Sequence, residues 1–141
     1  MKEKDTFLAS EIPKHMLEND AFSQWLGIEI VEVREGYCKV KMTLRKEMLN
    51  SMKKAHGGIT YSLADTAFGF ACNTYGKKAV SIETSINHIE ALEEGDVITA
   101  ESDVKSQKNK LGFYIVEIKK EDQLVALFKG VTYRTSVNWE R

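Results

Sequence analysis

The chain has 141 residues, 20 Lys and Arg against 21 Asp and Glu, and a formal net charge of −1. That length, with 43% hydrophobic residues, suits one domain with a proper core. The balanced charge argues against nucleic acid as a main partner, and no stretch is long and apolar enough to span a membrane.

Residues 7–26 read as a short amphipathic N-terminal helix, with Pro13 in its first turn and Gly27 at its exit. Residues 28–34 and 37–44 read as two strands joined by Glu35-Gly36, a hairpin signal. In the second, Cys38, Val40, Met42 and Leu44 alternate with polar residues, the pattern of a half-buried strand. A polar connection, 46–54, leads into the most unusual stretch of the chain.

Residues 57–75 are predicted to form a long central helix. Between Lys54 and Lys77 it carries one formal charge, Asp65, and apolar residues lie on all sides, which indicates burial. At about 100° per residue, Gly58, Tyr61, Ser62, Asp65, Phe68, Gly69 and Cys72 share one side. Ile59, Leu63, Ala67, Phe70 and Ala71 share the other, which reads as a face packed on a sheet. A lone carboxylate in such a helix is costly unless something pairs with it or uses it.

Gly76-Lys77-Lys78 ends the helix. Four further strands follow, at 79–89, 97–106, 111–120 and 124–135, joined mostly by tight turns, and 136–141 is expected to be a frayed tail. One domain over 1–141 is expected, with no linker or repeat. The economical packing is an α+β arrangement: a curved antiparallel sheet of about six strands wrapped around one long helix.

Chemistry is concentrated in and before the central helix. Gly57 and Gly58 leave backbone N–H groups unshielded at its positive end, an arrangement suited to an oxyanion. Gly58 and Asp65 lie seven residues apart, roughly 10 Å along the axis. A reacting carbonyl must sit about 3 Å from both its donors and its attacking group. If both groups serve one carbonyl, Asp65 must come from a second, oppositely directed copy of the helix, so a two-fold dimer with two composite sites is expected. Ser62 and Thr66 flank Asp65, but no base and orienting group complete a serine-type triad. His15 and His88 read as surface or strand residues. Cys38 and Cys72 lack metal-ligand spacing and read as buried free thiols, and no metal site is expected. Nothing at residues 1–10 resembles a secretory signal, so a cytoplasmic location is expected.

The chain resembles hotdog-fold acyl-CoA thioesterases, in particular the subfamily associated with bacterial phenylacetate degradation. The resemblance covers about 17–135. It rests on Leu17-Glu18-Asn19-Asp20-Ala21 with Leu26-Gly27-Ile28, on Met48-Leu49-Asn50 followed by His56-Gly57-Gly58, and on Leu63-Ala64-Asp65-Thr66-Ala67-Phe68 running to Ala71-Cys72-Asn73. It ends on Val125 to Gly130. It implies hydrolysis of an acyl-CoA, with a phenylacetyl-type acyl group, by a dimer or a homotetrameric dimer of dimers whose active sites lie at the dimer interface. No metal or other cofactor is implied.

The resemblance also implies roles. Asp65 would be the nucleophile or the general base for water. The Gly57 N–H would polarise the thioester carbonyl, with Gly58 supporting the turn. His56 and Asn50 would position the carbonyl, the water or the glycine loop. Tyr61 and Phe68 read first as core or interface residues, although as pocket walls they would suit an aryl substrate; with Gly58 and Thr66 they are the candidate substrate-binding residues. Family members often carry Arg-Pro where this chain has Glu90-Ala91, so CoA phosphates would need another cation, with Lys53, Lys54, Lys105, Lys108 and Lys110 as candidates. Two other readings stand beside hydrolysis: a hydratase or dehydratase acting on an enoyl or hydroxyacyl thioester with His56 as base, and a module that binds acyl-CoA without turning it over.

Overall fold

Two polar residues decide how the chain begins. Asn19 folds its side-chain amide back onto the His15 carbonyl at 2.9 Å, and Asp20 accepts the Ser23 N–H at 3.0 Å. These side chains stop one helix and cap the next, as Asn and Asp do when they compete for backbone groups. The expected helix over 7–26 is therefore two: α1 (Ile12–Glu18) and α2 (Ala21–Leu26), preceded by a 3-10 turn at Ala9–Glu11. The computed structural model describes residues 6–141.

Six strands follow: β1 (Glu29–Arg34), β2 (Tyr37–Thr43), β3 (Lys77–His88), β4 (Val97–Gln107), β5 (Leu111–Lys120) and β6 (Gln123–Asn138). They form one antiparallel sheet in the order β1-β2-β4-β5-β6-β3. Tight connections make β1-β2, β4-β5 and β5-β6 pairs directly, while β3 reaches its place beside β6 only through α3 (Gly57–Asn73). The sheet is curved around α3, the α+β hotdog arrangement expected from the sequence.

Alternation along the strands supplies the core. Ile98, Ala100 and Ser102 on β4 and Tyr114, Val116 and Ile118 on β5 point inward and are buried. Against them α3 sets Leu63, Ala64, Ala67, Phe68, Phe70 and Ala71. The alanines let the helix backbone approach the sheet, and Phe68 fills the space above Gly130, where a Cβ would stand 2.5 Å from the ring. Phe68 is thus a core residue inside one chain, packed on Tyr114 and Phe128 at centroid distances of 5.5 Å. Phe68, named among the candidate substrate-binding residues, is fully buried here instead, and Cys72 is a buried free thiol. In this fold the helix buries all but a narrow stripe, because the sheet curves around it.

The tail is also corrected. β6 continues to Asn138 opposite Lys77, and the Trp139 indole N–H donates to Asn73 Oδ1 at 2.9 Å. Asn73, itself buried, also takes the Ala79 N–H at 2.9 Å and donates to the carbonyls of Gly69 and Ala79. It satisfies all its side-chain groups while tying the end of α3 to β3 and to the C-terminal segment. Helix α3 accordingly stops at Asn73, two residues short of the expected 75, with Thr74 donating its hydroxyl to the Ala71 carbonyl. Among the described residues, no helix is long and apolar enough to cross a membrane.

Candidate active site

Helix α3 begins where three segments meet. His56 donates its N–H to the Met48 carbonyl at 2.8 Å, and Ala55 donates to Leu92 at 2.8 Å, which pins the helix start between the 3-10 turn at Lys46–Met48 and the segment after β3. The loop before it is organised by Asn50, whose Oδ1 accepts the N–H groups of Met52 at 2.9 Å and Lys54 at 3.2 Å. This holds Lys53 in the left-handed region at φ 61°. Asn50 thus shapes the loop with its oxygen, and its amide nitrogen has no hydrogen-bond partner among the described residues.

His56 is the N-cap of α3. Its Nδ1 accepts the Gly58 N–H at 2.9 Å, which makes the ring an acceptor at that atom and removes Gly58 as a free donor. The Gly57 N–H has no acceptor among the described residues. It is an orphan donor at the positive end of a 17-residue helix. It opens on a cleft of about 310 Å³ lined by Asn50, Lys54, Gly57, Thr60, His88 and Glu90 among others. A developing oxyanion would find there one fixed N–H and no competing carboxylate from α3.

Asp65 lies elsewhere. It lines a second cleft, of about 230 Å³, with Met16, Phe22, Ser62, Thr66 and Gly69. The two clefts share no lining residue. The Asp65 carboxylate is half-buried and makes no hydrogen bond or ion pair among the described residues. Burial, uncompensated by any donor, pushes its pKa up from the ordinary 3.8. The neighbouring hydroxyls are spent along the helix: Ser62 donates to Gly58 O at 2.6 Å and Thr66 to Ser62 O at 2.8 Å. Neither is aligned as a nucleophile by a base. Thr66 does line the carboxylate's cleft, whereas the Tyr61 hydroxyl is hydrogen-bonded to that of Thr84 at 2.7 Å, and the ring stands half-buried between α3 and β3. No group of three metal-ligating side chains exists among the described residues.

The cation question looks different in three dimensions. A third cleft, of about 650 Å³, is lined by Lys46, Lys53 and Lys54 together with Glu93 and Glu94, and shares Asn50 and Lys54 with the Gly57 cleft. Lys54 is paired with Glu93, while Lys105 pairs with Asp103 at 3.4 Å toward the end of β4. Lys46, not singled out in the sequence, enters only because the loop folds it beside Lys53. His88 reads as a surface or strand residue in the sequence, yet it stands against Gly57. No spacing in the sequence signals this, because the contact joins the end of β3 to the start of α3.

The description of the Thioesterase superfamily matches residues 52–127, which include both Gly57 and Asp65. The chain belongs to this superfamily. Over 120 residues it is 42% identical to the acyl-coenzyme A thioesterase PaaI of Escherichia coli K12, covering 84% of this chain and 86% of that protein. The structure of the E. coli PaaI protein from the phenylacetic acid degradation operon superposes with a TM-score of 0.88 at 39% identity, covering 91% of this chain and 94% of that one. A variant of the phenylacetic acid degradation protein PaaI of Thermus thermophilus gives a TM-score of 0.80 at 33% identity, covering 82% and 100%. The chain is therefore a hotdog-fold thioester hydrolase, of the kind its sequence resembles.

Proposed function

We propose that this thioesterase hydrolyses acyl-CoA to the free acid and CoA, with aryl-acyl groups of the phenylacetyl type as preferred substrates. The relatives' names support the acyl class: one acts on acyl-coenzyme A, and two belong to phenylacetic acid degradation. The single observation that carries the mechanism is the division of labour on α3. A free N–H and a free carboxylate sit on one helix but open into separate clefts.

Two such half-sites become whole ones in a two-fold dimer. The Gly57 N–H of one protomer then holds the thioester oxygen, and Asp65 of its partner attacks the carbonyl carbon or deprotonates the water that does. Negative charge gathers on the oxygen, and the tetrahedral intermediate collapses with cleavage of the C–S bond. On the water route the proton that Asp65 took from water passes to the departing CoA sulfur and the acid forms directly. On the nucleophile route the thiolate takes a proton from solvent, and water then hydrolyses the acyl–Asp65 anhydride to the acid and free Asp65. A dimer, alone or paired into a tetramer, also accounts for β3. This 12-residue strand is the outer edge of the sheet, and Val80 and Ile82 on it are 54% and 56% exposed. A long apolar edge of this kind is normally covered. The cleft beside Asn50 is the candidate seat for the CoA phosphates, with Lys46 and Lys53 as the cations there that Glu93 does not pair.

The hydratase reading is less well supported, because His56 Nδ1 is occupied by the Gly58 N–H. A non-hydrolytic binding module would have no use for an unpaired, half-buried carboxylate. The test is release of free thiol from a panel of aryl- and fatty acyl-CoAs by the unaltered chain and by Asp65→Asn. Release that collapses in the variant places the chemistry on Asp65, and the best acyl group names the substrate. Equal release from both removes Asp65 from the mechanism.

A further inference from the structure

Gly57 has a neighbour that the thioesterase mechanism outlined above does not use. His88 is the last residue of β3, held opposite Ala126 of β6. Immediately after it, Ile89 and Glu90 both donate their N–H groups to the Val125 carbonyl, at 2.9 and 3.1 Å, so the strand end is fixed on both sides. A Cβ built on Gly57 would stand 3.2 Å from His88 Nε2, 3.5 Å from Cε1 and 3.9 Å from Cδ2. The ring therefore lies against Gly57 with its Nε2 edge foremost. It has no hydrogen bond, ion pair or ring contact among the described residues. It is exposed and lines the same cleft as the Gly57 N–H.

Distance decides what this edge can reach. In standard backbone geometry the amide nitrogen and Cβ of one residue are about 2.5 Å apart. His88 Nε2 is thus no more than about 5.7 Å from the Gly57 nitrogen. Two N–H donors can share one acceptor oxygen at ordinary lengths when they are separated by less than about 5.8 Å. The polar groups that share the cleft with this ring are Asn50, Lys54, Thr60 and Glu90, and none of them engages it.

We propose that His88 is a second donor to the reacting carbonyl: its Nε2–H joins the Gly57 N–H on the thioester oxygen and tightens as that oxygen becomes an anion. His88 forms no covalent bond in this step. Electron pair and charge pass from the attacking oxygen to the carbonyl oxygen, where two donors meet them in place of one. The proposal rests on the assignment of Gly57 as the oxyanion donor. A site built from a helix N-terminus and a strand end gains the rigidity that such stabilisation needs.

The test uses His88→Phe, which keeps a ring but cannot donate, and His88→Gln, which keeps an N–H. Thiol release should show kcat reduced about 100-fold in His88→Phe with KM within about threefold, and largely restored in His88→Gln. The second readout needs no turnover: the infrared carbonyl band of a 13C-labelled ketone analogue of phenylacetyl-CoA, with a methylene between carbonyl and sulfur. Bound to the unaltered chain or to His88→Gln, the band should fall in frequency, and in His88→Phe it should fall less. A band indifferent to His88, or a kcat in His88→Phe within about threefold of the unaltered chain, overturns the proposal while leaving the Gly57 and Asp65 assignment standing. Failure of the analogue to bind the unaltered chain overturns the acyl-CoA reading and the proposal with it.

Discussion

Gly57 and Asp65 stand on one helix, eight residues apart, yet face two clefts with no lining residue in common. At about 1.5 Å per residue they are separated by roughly 12 Å along the axis, too far for one carbonyl to touch both. The proposed composite sites make a sharp demand on mixed protomers. Gly57→Val, whose side chain would meet His88, and Asp65→Asn should each be inactive alone. Mixed and re-equilibrated in equal amounts, they should regain about a quarter of the unaltered activity, because half the dimers are mixed and each mixed dimer rebuilds one intact site. Activity that stays at zero while exchange is verified by mass would place both groups within one protomer.

The half-buried carboxylate of Asp65 predicts a pH signature in both activity and stability. Its pKa is raised above 3.8 by burial, so the folded chain holds this proton more tightly than the unfolded chain. The resulting stability is fully present below the unfolded value and is lost as pH rises through the folded one. Asp65→Asn should therefore raise the melting temperature at neutral pH and give no such gain in acid. In the proposed mechanism activity runs the opposite way, since Asp65 attacks or takes a proton only when ionised. The acid limb of kcat/KM should lie above the ordinary carboxylate range. Thermal melts and rate profiles across the acid-to-neutral range check both.

The oxygen and nitrogen of the Asn50 amide can be tested separately. Its oxygen holds the 50–54 loop through the Met52 and Lys54 N–H groups, while its nitrogen is free beside the Gly57 cleft. Asn50→Asp keeps the acceptor and loses the donor; Asn50→Ala loses both. Removing the acceptor should cost about 1–2 kcal/mol and loosen the loop. Asn50→Ala should thus lower the melting temperature and raise KM, whereas Asn50→Asp should melt near the unaltered chain. A kcat loss in Asn50→Asp without a stability loss would assign the nitrogen a direct part in turnover.

Phe68 and Gly130 are a packing pair. A methyl at Gly130 would stand 2.5 to 2.8 Å from three atoms of the Phe68 ring, which is itself hemmed in by Tyr114 and Phe128. Gly130→Ala should destabilise by about 1–3 kcal/mol. Phe68→Leu should be destabilising alone but recover part of the Gly130→Ala loss, giving a non-additive cycle in urea unfolding.

Much of the fold was written in local pattern. Alternation in β4 and β5, the turn residues between strands, and the long uncharged run from 57 are properties of neighbouring residues, so strand count, central helix and hotdog architecture could be read without coordinates. The His56-Gly57-Gly58 and Asp65 motif was legible for the same reason, and helix rise alone separated the donor from the carboxylate. The N-terminal helix misled because apolar spacing persists across Asn19-Asp20, while side-chain hydrogen bonds break the helix there. Phe68 could be read as core or as pocket wall, because a helical wheel reports angle and not how far a curved sheet wraps around it. Lys46 beside Lys53, Asn73 under Trp139 and His88 against Gly57 were decided by tertiary structure alone. Each joins groups that local pattern does not relate, and the energy that brings them together resides in the core between sheet and helix, which no local window of sequence contains.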